Sequence, residues 1–150
     1  MKKEIDYKVS FYYHDLEGNV AIESVWASKE NDFYRIKNIP FFAPNIAYDD
    51  LISVENEDDE LSFDELIETS ENSTVQIIIF NEIDINTITN EISEYNCGWE
   101  GSHLTGYISV NVPKEINYNK FKKYLIDQSK NKKLDFKEAC LSIKHNDEIN

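Results

Sequence analysis

Thr74-Val75-Gln76-Ile77-Ile78-Ile79-Phe80-Asn81-Glu82-Ile83-Asp84-Ile85-Asn86-Thr87-Ile88-Thr89-Asn90-Glu91-Ile92 is the stretch on which the fold turns. Up to Phe80 it is an apolar run of strand length, rich in Ile and Val. Beyond it, Ile85, Ile88, Ile92 and Tyr95 recur at helical spacing. Asp84 is placed to cap the amino end of this helix, and Asn96 or Gly98 to end it. Leu104 to Val112 alternates again, with Ile108, Val110 and Val112 on one side. Asn117 opens a second helix through Phe121, Tyr124 and Leu125 to about Ser129, and Leu134 to Ile143 reads as a strand, with a short helix as the alternative. Strand, helix, strand pair, helix, strand is the βαββαβ order of a ferredoxin-like unit.

Upstream, the period is two. Tyr7, Val9, Phe11 and Tyr13 alternate with Lys8, Ser10, Tyr12 and His14, and Asp15-Leu16-Glu17-Gly18-Asn19 supplies turn chemistry. Val20 to Ala27 and Phe33 to Ile39 are two further strands, separated by Ser28-Lys29-Glu30-Asn31-Asp32. Pro40-Phe41-Phe42-Ala43-Pro44 is a bend with buried rings, because two prolines cannot lie inside a central strand. Leu51 to Glu55 and Glu60 to Ser70 continue the strands around a hairpin tip, Asn56-Glu57-Asp58-Asp59. The expected fold is α+β: a β-rich N-terminal half, either a small curled sheet or an SH3-like barrel, followed by the ferredoxin-like C-terminal half. No linker separates the halves, so residues 1–150 are read as a single compact domain, with sub-folds at approximately 5–73 and 74–145.

The 150 residues carry a net charge of −14, with 41% hydrophobic content. Asn38 to Pro113, a run of 76 residues, holds sixteen acids and no Lys or Arg, while the flanking segments are near balance. Such a charge argues against nucleic acid, whose phosphates need a basic face. It steers cationic partners at long range. No apolar run reaches the ~20 residues of a membrane span, and the N-terminal Met1-Lys2-Lys3-Glu4-Ile5-Asp6 lacks a signal peptide's apolar core. Two cysteines, Cys97 and Cys140, form no framework, which points to a reducing cytoplasm.

Chemistry is sparse. His14, His103 and His145 are scattered, neither Cys stands in C-x-x-C spacing, and no metal site or cofactor is expected. No Gly-rich phosphate loop is present. A small site is conceivable at Cys97, Trp99, Glu100, Ser102 and His103, where a thiol and an imidazole six residues apart could meet in a hairpin. No Asn or Asp stands beside the His to orient it, and the competing reading is a hairpin with Trp99 packed into the core. The many carboxylates sit mostly in turns, where exposure keeps them ordinary acids, and they lack the spacing of a calcium loop.

Glu23-Ser24-Val25-Trp26-Ala27, then Phe33-Tyr34-Arg35-Ile36-Lys37-Asn38-Ile39-Pro40-Phe41-Phe42-Ala43-Pro44 with Ala47-Tyr48-Asp49-Asp50, resembles the central motif of a bacterial family, domain of unknown function 4265. The likeness continues through Ser73-Thr74-Val75, Cys97-Gly98-Trp99-Glu100-Gly101-Ser102, Val112-Pro113 and Glu138-Ala139-Cys140-Leu141, covering roughly Glu23 to His145. The family tends to have Gly-Asp after the Tyr, where this chain has Asp49-Asp50. The resemblance implies a small bacterial cytosolic protein and brings no catalytic residues.

The expected function is therefore binding rather than catalysis. The leading reading is an immunity protein, a stoichiometric inhibitor that occludes the cationic active site of a basic toxin and is monomeric when free. Its partner-binding residues would be Asp49, Asp50, Glu55, Glu57, Asp58, Asp59 and Glu60, with Tyr34, Tyr48 and Tyr12 as anchors. The alternative is a small-molecule or enzymatic pocket near Cys97, Trp99, Glu100 and His103.

Overall fold

Alternating side chains in β1 (Asp6–His14) place Val9 and Phe11 inward, and Lys8, Ser10 and Tyr12 on the outer side. The computed structural model describes residues 6–150. The chain is α+β with a sheet-dominated body and a few helices, and it divides into two compact units, residues 1–70 and 71–150.

In the first unit, β1, β2 (Val20–Glu30), β3 (Phe33–Ile36), β4 (Leu51–Glu57) and β5 (Glu60–Glu68) close into a barrel in sequence order. The ladders are antiparallel except at the seam, where β1 and β5 run parallel with Val9 opposite Leu61. The barrel core is Val9, Phe11, Val25, Ala27, Tyr34, Ile36 and Ile52, covered by Ala43 and Ile46 from the long β3–β4 connection. Phe11 stacks on Phe63, their ring centroids 4.9 Å apart.

The third strand is shorter than the expected Phe33–Ile39. Ile36 N–H donates to the Asp50 carbonyl and the Ile36 carbonyl accepts Asp49 N–H, while Lys37 N–H donates to the Trp26 carbonyl. The chain then leaves the ladder through Pro40 and Pro44, which have no N–H to give. The β4–β5 hairpin turns on two residues, Asp58 and Asp59, both at positive φ (51° and 66°), between the paired Glu57 and Glu60. Two left-handed residues match the twist of the strands on either side.

The second unit contains β6 (Ser73–Ile79), α1 (Ile85–Glu94), β7 (Gly98–Gly101), β8 (Tyr107–Val112), α2 (Tyr118–Lys130), β9 (Leu134–Cys140) and α3 (Ile143–Ile149). Its four strands lie in the order β7-β8-β6-β9, every neighbour antiparallel. Val75, Ile77 and Ile79 alternate onto the same face as Ile108, Val110 and Val112, where Ile88 and Ile92 of α1 and Phe121 and Leu125 of α2 bury them.

Asp84 does not cap α1. The chain is already wound in a 3-10 turn over Glu82–Asp84, capped by Asn81, so Asp84 has helical backbone angles and its carboxylate turns to Lys133 Nζ at 3.5 Å. The helix ends at Asn96, whose φ of 62° lets Cys97 N–H reach back to the Ile92 carbonyl. β8 starts at Tyr107 rather than Leu104 because Gly106 (φ +82°) turns the chain against β6, where a Cβ would stand 2.6 Å from the Ile79 carbonyl oxygen. The segment expected as one strand from Leu134 to Ile143 is a strand to Cys140; Ser142 then caps α3 by accepting from His145 N–H.

Candidate functional site

Residues from Glu23 to Asp50 build one structural device in the barrel. Glu23 lies on the inward side of β2, opposite Phe11. Its carboxylate accepts the N–H groups of Phe41 (2.7 Å), Phe42 (3.0 Å) and Ala43 (2.9 Å), holding the Pro40–Pro44 bend against the barrel. Tyr13 stacks on Phe42 at 5.3 Å. Burial, and then the nearby Glu23 and Asp15, push the Tyr13 phenol above its usual pKa. Asn38 accepts Trp26 N–H through its side chain at 2.6 Å.

The return of the loop is tied by charge. Arg35 pairs with Glu30 and donates to the Asp49 carbonyl at 2.9 Å, and Lys37 Nζ meets the Asp49 carboxylate at 2.9 Å. That hydrogen bond holds the Lys37 ammonium above its ordinary pKa. Lys37 also lies over the Tyr48 ring.

Two of the expected partner-binding residues are interior, which corrects the reading of them as surface groups. Asp50 is 1% exposed, and its carboxylate accepts Ala47 N–H (2.9 Å) and Ser70 N–H (2.8 Å). Burial raises its pKa, partly offset by these hydrogen bonds. Tyr34 is buried in the barrel core, edge-on to Tyr7 at 5.4 Å. Asp49 and Tyr48 are half-buried and engaged by Lys37.

The other five acids do form one exposed element. Glu55, Glu57, Asp58, Asp59 and Glu60 are all solvent-exposed on the β4–β5 hairpin. Tyr12 on β1 donates its hydroxyl to Glu60 at 3.3 Å. Next to this hairpin lies a feature that the reading of the sequence missed. Tyr12, Val20, Ile22 and Trp26 are exposed on the outer side of β1 and β2, with Leu16 at the turn between them. The signal was available: Val20, Ile22 and Trp26 share one parity of β2, opposite to Val25 and Ala27.

The residues of the alternative pocket part company. Cys97 is buried in the core of the second unit, its thiol pushed up to about 12 by burial, which leaves no thiolate for nucleophilic work near neutrality. Trp99 is 40% exposed rather than packed inside, His103 is exposed, and Glu100 is half-buried. Ser102 Oγ instead ties the β7–β8 connection: it lies 2.9 Å from the Tyr107 carbonyl and 3.1 Å from the Leu104 carbonyl, between which its one proton is shared, and accepts Leu104 N–H. A shallow depression of about 140 Å³ lies elsewhere, lined by Gln76, Ile78, Tyr107, Asp135, Phe136 and Lys137.

The one buried imidazole is structural. Ser73 Oγ lies 2.7 Å from His145 Nδ1 and accepts Ser142 N–H at 2.9 Å, and His145 Nε2 lies 3.0 Å from the Pro113 carbonyl. A carbonyl only accepts, so Nε2 carries the proton and Nδ1 accepts from Ser73. Ser73 and His145 are fully buried, so this pair docks α3 and offers no access to a substrate. Among the described residues, no group of three or more His, Cys, Asp or Glu is placed to hold a metal ion. No helix among them is long and apolar enough to cross a membrane.

A barrel with a carboxylate-anchored loop, joined in sequence to a four-stranded sheet with helices on one face, defines the class of protein. Residues 23–136 match the family model described as Domain of unknown function (DUF4265), and the chain belongs to that family. The crystal structure of a hypothetical protein from Neisseria gonorrhoeae is similar, with 31% sequence identity, a TM-score of 0.83, and coverage of 95% of this chain and 99% of that one. No curated protein matches the chain.

Proposed function

We propose that this protein is an acidic binding protein of the immunity type, a stoichiometric inhibitor that neutralises a basic bacterial toxin in the cytoplasm by covering its cationic active site. The observation that carries the reading is the β4–β5 hairpin, on which five exposed carboxylates from Glu55 to Glu60 stand with no base among them. A two-residue turn between paired strands sets where those carboxylates stand, so little backbone entropy is lost when they meet a partner. Residues 1–70 hold 17 acids and 6 bases, so the field is centred on the barrel unit. We read the barrel as SH3-like and the second unit as ferredoxin-like, the latter supported by the antiparallel order β7-β8-β6-β9. Both scaffolds host many functions, so the argument rests on the surface and not on the fold.

The mechanism is occlusion. Complementary potential speeds capture toward ~10⁸ M⁻¹s⁻¹, and the hairpin carboxylates pair with cationic groups that the toxin would otherwise turn to its substrate. No bond is made or broken, and the protein is monomeric until it binds. The test is charge reversal. With the partner retrieved from the protein's own host, the Asp58→Lys/Glu60→Lys double variant should associate about tenfold more slowly at low salt, with a small change in dissociation. An unchanged association rate sinks the reading.

A further inference from the structure

We infer that the outer face of the β1–β2 hairpin is the apolar centre of a protein-docking surface, of which the acidic β4–β5 hairpin is the rim, and that its occupant is a folded protein with an apolar patch ringed by Lys and Arg. The inference rests on the binding reading above and specifies where affinity resides. Its observation is an inverted polarity in β2. Glu23 faces the barrel interior, and its neighbour Ile22 faces solvent, 56% exposed. The inward carboxylate is accounted for by its three backbone donors; nothing in the fold accounts for the outward Ile22.

Ile22 is not alone. Tyr12 is its directly paired cross-strand neighbour, Val20 and Trp26 lie on the same side of β2, and Leu16 protrudes from the turn with 108% relative exposure. The paired Ser10 and Ser24 separate Trp26 from Ile22, so the contiguous part of the strip is Tyr12, Val20 and Ile22, with Trp26 at its far end. Scattered single apolar residues on a surface need no explanation, whereas a contiguous group with an aromatic anchor marks an interaction surface. Trp and Tyr are the side chains that anchor interfaces most often.

Charge selects the occupant. Asp15 and Glu17 flank Leu16 in the turn, and Glu60 is held to the strip by the Tyr12 hydroxyl, with Glu57, Asp58 and Asp59 beside it in the β4–β5 hairpin. Against these six acids the strip carries Lys8, over the Trp26 ring at 5.4 Å, and His14. A second copy docking through the same face would bring two acidic rims together, which disfavours a symmetric dimer. An anionic lipid surface is repelled for the same reason. A basic protein with an apolar centre satisfies both parts of the surface.

The test begins in the protein's own host with a benzophenone amino acid in place of Ile22, and in a control in place of the exposed Ile83. The protein that is cross-linked on irradiation is identified and purified. Its affinity is then measured for the wild type, Ile22→Glu, Val20→Glu and Asp58→Lys/Glu60→Lys at about 0.1 M and about 1 M salt. The expected result is a basic protein joined from position 22 and not from 83. Ile22→Glu and Val20→Glu should each weaken it roughly 30-fold or more at both salts, and the hairpin reversal should weaken it chiefly at low salt. The inference is overturned if position 22 joins nothing, or only a second copy of this chain, or if both strip variants bind like the wild type. In that last case, a loss confined to the hairpin reversal leaves the proposed function standing without the strip. Failure to find a basic partner from any position removes both.

Discussion

Glu23 is the residue on which the Pro40–Pro44 bend depends. Three backbone N–H groups converge on its carboxylate, and truncation would remove the acceptor they share. Glu23→Ala should cost about 2–3 kcal/mol, read as a lowered urea midpoint with an unchanged slope. His145 sets the other residue-scale prediction. Burial lowers its pKa below the ordinary value, so the unfolded chain binds the proton more readily than the folded one. Stability should therefore hold above pH ~6.5 and fall as the pH drops from there toward the folded-state pKa. Urea titrations between pH 7.5 and 5.5 check this, because His145→Gln should remove most of that pH dependence while lowering stability throughout.

These roles were hidden from sequence reading for a physical reason. Asp50 looks like one more turn acid beside Asp49, and only the return of Ser70 and Ala47 to its two oxygens shows why Asp50 is buried while Asp49 is half-buried against Lys37. A pattern of polar and apolar letters records where side chains point along an element. It does not record which distant backbone donors will need an acceptor.

At the scale of elements, periodicity carried most of the fold, and the departures fall at element ends. The helical spacing from Ile85 marks α1, but the 3-10 turn before it displaced the cap from Asp84 to Asn81. β9 and α3 were one segment in the sequence because Leu141 and Ile143 extend the apolar run past Cys140; Ser142 between them was the available helix-start signal. Another end carries a prediction. Lys132 follows the last residues of α2 at φ 60°, with Lys133 N–H reaching back to the Gln128 carbonyl, in the place where glycine is favoured. Lys132→Gly should stabilise the protein by about 0.5–1 kcal/mol, seen as a raised melting temperature. Gly106→Ala should do the reverse, since its Cβ would meet the Ile79 carbonyl.

At the scale of the whole molecule, the acidic run from Asn38 to Pro113 was plain in the sequence, and the structure sorts it into different uses. Asp50 is spent inside the barrel, Asp49 on Lys37, and Asp84 on Lys133, whereas Glu55 to Glu60 stand exposed together. Charge counting alone cannot make that separation, because it depends on which acids find a donor when the chain folds. Exposed acids act at a distance; Asp64, Glu65, Glu68, Glu71, Glu82 and Glu94 are exposed as well, and the proposed function uses the group gathered on the β4–β5 hairpin.

The central claim is that this surface binds a basic protein, and the most direct measurement is recovery of the tagged chain from its own host at about 0.1 M and then about 1 M salt. Over that range the screening length falls from ~10 Å to ~3 Å. The account predicts a one-to-one complex with a single basic protein at low salt, weakened at high salt and lost in the Asp58→Lys/Glu60→Lys variant. A chain that runs alone at both salts would contradict it.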